Sequence, residues 1–372
     1  MKKLLTLACI LGFAGLLHAQ AANTTVCDIL KNPAAFNNKV VSIKATVAAG
    51  FDSFIIQGPQ CGQQIDAIWL EYPEGTKAKY GPDALITLQP AKNFAGKVAP
   101  EPARTPVTLN ADKMFKKFDS SLADRMKTSG VCLGCARNLV SATLTGRIDA
   151  VKPELTRDAS GKITSIAGFG NLNAYPVRLV LQSVADVDVQ RIDVDKNAAI
   201  KATETEAEAS PHVSESFASS IAFNDHPKRA TDAFGKQGDN NGVVVAYTQP
   251  SVETAAFEDQ ATTDSPDGVI FHVLLNSDHV KKEIMPLAIA HLGEHIADYR
   301  TPEPTLQDAV LYQYEFRGWI TSMLTAMSTG QPSIQIPGGY TLWSKTENQA
   351  ELNADTDTAL KAFFADQACL SR

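Results

Sequence analysis

Asn110-Ala-Asp-Lys-Met-Phe-Lys-Lys-Phe-Asp-Ser-Ser-Leu-Ala-Asp-Arg-Met126 is the long helical pattern in the first half of the chain, and its place among the strands decides the fold. Asn110 is a good N-cap, and Met114, Phe118, Leu122 and Met126 recur every fourth residue, so one helix face is apolar. Gly130 ends the pattern. Upstream lie three strand-like runs, Val40–Val47, Phe54–Gln57 and Ala67–Tyr72, the second broken by Gly58-Pro59 and the third ended by Pro73. A short helix from Val26, stopped at Pro33, and an Asn37-Asn38 turn precede them. Downstream come Val140–Ile148 and Arg178–Val184, the latter continuing towards Val189. Three strands, a helix and two strands is the order of a small Greek-key barrel whose helix plugs one end.

The residues also resemble the OB-like domains of exported bacterial proteins. Asn32-Pro-Ala-Ala-Phe-Asn-Asn-Lys-Val-Val-Ser-Ile-Lys-Ala-Thr46 resembles their opening helix, turn and first strand, and Asn138-Leu-Val-Ser-Ala-Thr-Leu-Thr-Gly-Arg147 resembles their fourth. The resemblance spans roughly residues 26–190 and implies a barrel that binds something on one face, without naming a ligand. The fold class expected is therefore α+β: an OB-like five-stranded β-barrel with one helix, followed by an α+β domain with a central helix pair.

The ends and the composition bound the rest. Lys2 and Lys3, an apolar run from Leu4 to Leu17, and Ala19 and Ala21 read as a signal peptide over residues 1–21. The run is too short to span a membrane and no second one follows, so the mature chain is expected to be periplasmic or secreted. With Lys2 and Lys3 removed, the formal net charge goes from -7 to -9. An acidic chain with scattered lysines lacks the electrostatic footprint for nucleic acid. Cys27, Cys61, Cys132, Cys135 and Cys369 remain after export, and in an oxidising compartment Cys27, Cys61, Cys132 and Cys135 are disulfide candidates of open connectivity.

The barrel is expected over residues 22–194. Residues 195–241 are small and acidic, with few large apolar groups, and read as an acidic linker or mobile segment. Residues 242–372 form the second domain. It opens with Val243–Thr248, followed by Gly268–Leu275, which is apolar on both faces and so a central strand. A helix capped by Ser277 or Asp278 runs to about Tyr299, and Pro286 interrupts it, so a kink or a restart is expected there. A second helix covers about Leu306–Thr329, a turn at Pro337-Gly-Gly precedes Tyr340–Trp343, and a last helix holds Leu360, Phe363 and Phe364.

The chemistry concentrates in Leu287-Ala-Ile-Ala-His291-Leu-Gly-Glu294-His295-Ile-Ala-Asp298. Residues i and i+4 project from the same side of a helix, so His291 and His295 can reach one ion, with Glu294 beside them as a base. The H-x-x-E-H string resembles the active-site helix of the pitrilysin family, which implies zinc on the two histidines and a water activated by Glu294. That family's downstream glutamate motif and its paired second half are not recognisable. If the two helices form a hairpin about Pro302, Glu315 falls within about one turn of His291 and becomes the candidate third ligand, with zinc as the metal. Met285, Ile289, Leu292, Ile296 and Tyr299 form the helix's apolar stripe, which leaves the histidines partly buried at its margin. Histidines hydrogen-bonded to acidic neighbours fit the same pattern and are its commoner outcome.

Cys132-Leu-Gly-Cys135 follows a helix and precedes a strand, the reverse of a thioredoxin-like setting, so a structural role is expected over a redox one. Trp69, Tyr72 and Tyr80 are expected in the core more than on a stacking face. Two functions follow as expectations: an exported protein that binds a small ligand or another envelope protein, or a zinc-dependent hydrolase centred on His291, Glu294 and His295. A thiol-redox protein is a third and weaker reading.

Overall fold

The structure is a computed structural model that describes residues 21–58, 67–90, 103–124, 131–132, 136–152, 154–157, 159, 163–191, 228, 230, 232–233, 242–248, 268–276, 280, 284–300, 318–319, 321–322, 325–326, 333–335 and 341–343. The expected signal peptide apart from Ala21, nearly all of the acidic segment and the last helix lie outside these residues.

Strand β1 (Ala22–Thr24) leads into α1 (Val26–Lys31). Thr25 caps α1 in a capping box: its hydroxyl accepts from the Asp28 N–H while the Asp28 carboxylate accepts from the Thr25 N–H. Pro33 does not simply stop this helix. It starts a second one, α2 (Pro33–Phe36), because a proline costs nothing in a first turn, where its missing N–H has no partner to lose.

The barrel strands follow: β2 (Lys39–Ala49), β3 (Phe54–Gln57) and β4 (Ala67–Glu71), then, after a helix, β7 (Asn138–Ala150) and β10 (Val177–Arg191). Successive strands pair antiparallel from β2 to β3 to β4, β4 pairs parallel with β10, and β10 and β2 both pair antiparallel with β7. The ring closes, so these five strands leave no free edge between them. This closed barrel, with its one helix, is compatible with an OB-like fold, and the molecule as a whole is α+β.

The helix between β4 and β7 is α3 (Lys113–Leu122). Asp112, not Asn110, is its N-cap, accepting from the N–H groups of Met114 and Phe115. Phe115, Phe118 and Leu122 enter the barrel core with Ile43, Ile56, Leu70, Leu144 and Leu179. Trp69 and Tyr80 lie in that core, as expected, and Tyr72 packs against it. Asp119 is buried beside them because it accepts from the N–H groups of Lys79 and Tyr80 at 2.5 and 2.9 Å. Side chains also lock the strands together: Asp149 on β7 accepts from Arg147 and Arg178, and Arg178 on β10 reaches Glu71 on β4 at 3.1 Å.

The stretch between β4 and α3 holds a strand that the prolines concealed, β5 (Ala84–Pro90). It does not join the barrel. It pairs antiparallel with β12 (Val269–Asn276), which pairs parallel with β11 (Val243–Thr248). β12 is the central strand of this second sheet and is buried along its whole length, as its apolar run required. The second core forms between this sheet and helix α4 (Met285–Arg300), with Ile86, Leu88, Val273, Leu275, Leu292 and Ile296 inside it. The helix starts afresh at Met285 and Pro286 sits in its first turn, a place where proline's missing N–H costs no helical hydrogen bond.

Three short strands, β6 (Val131–Cys132), β13 (Ser333–Gln335) and β14 (Thr341–Trp343), form a small third sheet. A further hairpin, β8 (Glu154–Arg157) and β9 (Ile163–Ala167), was not foreseen from the sequence. From β9 the chain makes a tight loop into β10 with an Asn171–Asn173 3-10 turn. Gly170 (φ 70°), Leu172 (φ 53°) and Asn173 (φ 51°) are left-handed there. A Cβ on Gly170 would lie 2.3 Å from the Trp69 ring, so the loop is pressed onto the barrel wall.

His272 lies buried on β12, and burial pushes its pKa down to about 4. The folded chain therefore holds it neutral, while an unfolded chain takes up a proton below its ordinary value of 6.5. Stability is unaffected above that value and falls as pH drops from 6.5 towards 4. His272→Gln is expected to reduce the loss of stability between pH 7 and pH 5 by about 1–2 kcal/mol, read from urea midpoints at the two pH values; equal losses in both proteins would contradict this.

Candidate metal centre

α4 carries His291 and His295 one turn apart, at the edge of the face on which Ala288, Leu292 and Ile296 enter the second core. That side was expected to be a half-exposed margin. Instead both histidines are fully buried, as are Glu294 and Asp298. The difference is tertiary: the turn between β2 and β3 covers them, together with Gly318, Trp319, Thr321 and Ser322.

The turn is Gly50-Phe51-Asp52-Ser53. The Gly50 N–H donates to the Ser53 carbonyl at 2.8 Å, and the buried Tyr80 hydroxyl reaches the carbonyls of Gly50 and Ser53 at 3.4 and 3.3 Å. The Ala84 N–H donates to the Phe51 carbonyl at 2.6 Å, which ties the turn to the start of β5. Phe51 leaves the barrel and joins the second core, edge-on to His291 at 5.3 Å between ring centres. Trp319 packs beside Phe51, its ring 4.6 Å from His291 and 6.4 Å from Phe51. Gly318 leaves room for this imidazole, because a Cβ there would lie 2.7 Å from its Cε1.

Asp52 completes the group. Its Oδ2 is 3.6 Å from Nε2 of His291 and 3.6 Å from Nε2 of His295, and the two Nε2 atoms are 2.9 Å apart. Burial would raise the Asp52 pKa, but hydrogen bonding and charge from His291 and His295 outweigh it and hold the carboxyl well below the usual carboxylate range. A triangle with sides of 2.9, 3.6 and 3.6 Å has a point about 2.0 Å from every corner, which is the bond length of zinc to imidazole nitrogen and carboxylate oxygen. Two imidazoles and one carboxylate suit zinc and other divalent transition ions. Binding through both Nε2 atoms puts the ring hydrogens on Nδ1.

Asp52, His291 and His295 form the one group of three metal-binding side chains that converge among the described residues. The structure thus brings together the two predicted histidines, and the third ligand it offers is Asp52. Glu315, the ligand foreseen from the hairpin register, lies outside the described residues. Glu294, foreseen as a base, accepts a hydrogen bond from the Thr321 hydroxyl at 3.2 Å. Cys27 sits on α1, and the side chains of Cys61, Cys132 and Cys135 lie outside the described residues. Asp52 was missed because a short turn between two strands carries no sign of what it faces; the one available hint was an acidic residue beside a large aromatic in a tight turn.

The chain matches no protein-family model, no curated protein and no solved structure. The site therefore has to be read from its own chemistry.

Gly318→Ala is expected to push the His291 ring out of line, costing about 1–3 kcal/mol of stability through overpacking. Denaturant unfolding checks the stability. Loss of the His291 and His295 imidazole resonances from their wild-type NMR positions checks the displacement.

Proposed function

We propose that this is an exported envelope protein that binds a divalent transition metal ion, zinc in the first instance, through Asp52, His291 and His295. The reading rests on one observation: three ligand atoms on two distant segments surround a point at zinc bonding distance from each. A metal ion is the ligand for which the described residues offer the best-built site, and it gives the expected ligand-binding role a specific chemistry.

Burial argues for a holding role over a hydrolytic one. Catalytic zinc keeps a coordination position open to water and substrate, whereas structural zinc is closed in by protein. Here both histidines are fully buried, and Phe51 and Trp319 pack on His291. The pitrilysin-like reading would also use Glu294 on the water, and that carboxylate is engaged by Thr321. Export is supported by the signal-like first residues and by a set of cysteines that an oxidising compartment would pair. No described helix is long and apolar enough to cross a membrane.

Metal analysis of the mature protein purified from the periplasm is expected to find about one zinc per chain. Asp52→Ala and His295→Ala should each lose most of it. Chelation should lower the melting temperature of the wild type but not of either variant, since binding to the folded state alone stabilises it. Wild-type protein that carries no metal, takes up none on dialysis and melts unchanged with chelator would refute the reading.

A further inference from the structure

We propose that Asn171 is a positioning residue for the metal-binding carboxylate, aiming Asp52 Oδ2 at the two imidazoles. The inference rests on the metal reading above and extends it to a residue outside the ligand set.

The Ile86 N–H donates to Asn171 Oδ1 at 2.7 Å, which leaves Nδ2 as the end of the amide that faces Asp52. Nδ2 then donates to Asp52 Oδ2 at 3.2 Å. That oxygen is the same one that lies 3.6 Å from both Nε2 atoms. Asn171 is itself buried, with 6% of its surface exposed, so water competes little for the bond. The contact fits the general pattern in which a ligating carboxylate is held by a hydrogen bond from a neighbour that does not touch the metal.

The backbone around Asn171 supports a positional role. It opens the left-handed turn in which Leu172 and Asn173 both have positive φ, an unfavourable state for a residue as bulky as leucine. Asn173 uses the same strand by a similar device, accepting from the Leu88 N–H and donating to the Leu88 carbonyl, both at 3.2 Å. Two asparagine side chains thus take the place of a neighbouring strand along β5. Asn173 anchors the loop at two points on that strand. Asn171 has one anchor there and turns its other end to Asp52.

That difference supplies the control. Wild type, Asn171→Ala, Asn171→Asp and Asn173→Ala are compared for cobalt(II) absorption and for zinc affinity against a chromophoric chelator. Asn171→Ala is expected to weaken zinc binding by about 10–100-fold, with Asn173→Ala staying within about threefold of wild type. Asn171→Asp keeps the acceptor for the Ile86 N–H and removes the donor to Asp52, so its cobalt spectrum is expected to differ from that of the wild type. Equal weakening by Asn171→Ala and Asn173→Ala, or a wild-type cobalt spectrum in Asn171→Asp, would overturn the inference while leaving the metal site standing. A wild type that binds neither cobalt nor zinc would overturn both.

Discussion

A carboxylate buried between two buried imidazoles is the constraint around which this structure is arranged. Asp52 is almost inaccessible and His291 and His295 are wholly so. An isolated charge in such a place costs far more than a folded domain has to spare, so it must face positive charge or strong donors. The imidazoles and the Asn171 amide answer that requirement at the same oxygen, and the proposed cation would answer it there too. Breaking such a cluster by removing one partner costs about 3–5 kcal/mol in general, because the remaining charge is left buried.

Several elements that look unrelated along the chain serve this point. The β2–β3 turn sends Phe51 into the second core and Asp52 onto α4. β5 lies in sequence among the barrel elements, yet its backbone pairs with β12 on one edge and with Asn171 and Asn173 on the other. The loop that supplies those asparagines is pinned to the barrel by the Trp69 ring against Gly170. Barrel, second sheet and α4 are thereby in register around one small volume, and each ligand is held by a segment that is itself hydrogen-bonded.

That arrangement explains the odd composition of α4. A helix on the surface would keep its charged residues in water, yet Glu294 and Asp298 are as buried as the histidines. Phe51 and Trp319 cover the helix at His291, and on another side Ala230 meets Gly293 so closely that a Cβ would fall 2.4 Å from the Ala230 carbonyl oxygen.

The barrel was legible in the sequence because its signals are local. Alternation in β2 and β7, the apolar spacing of α3 and the unbroken apolar run of β12 each follow from a repeat of two or about four residues that tertiary contacts only reinforce. The pairing of His291 with His295 was legible for the same reason, as one helical turn sets it. Tertiary structure alone decided the rest. β5 was hidden between prolines because a short strand gains its meaning from its partner. Full burial of the histidines depended on Phe51, Asp52 and Trp319 packing over them. Asp52 and Asn171 carry almost no local signal, since a turn residue and a loop amide meet the imidazoles only when distant segments close on one another. The sequence by itself determined which helix holds the histidines; the folded chain decided which carboxylate meets them, because a buried charge selects its partners in space and not along the chain.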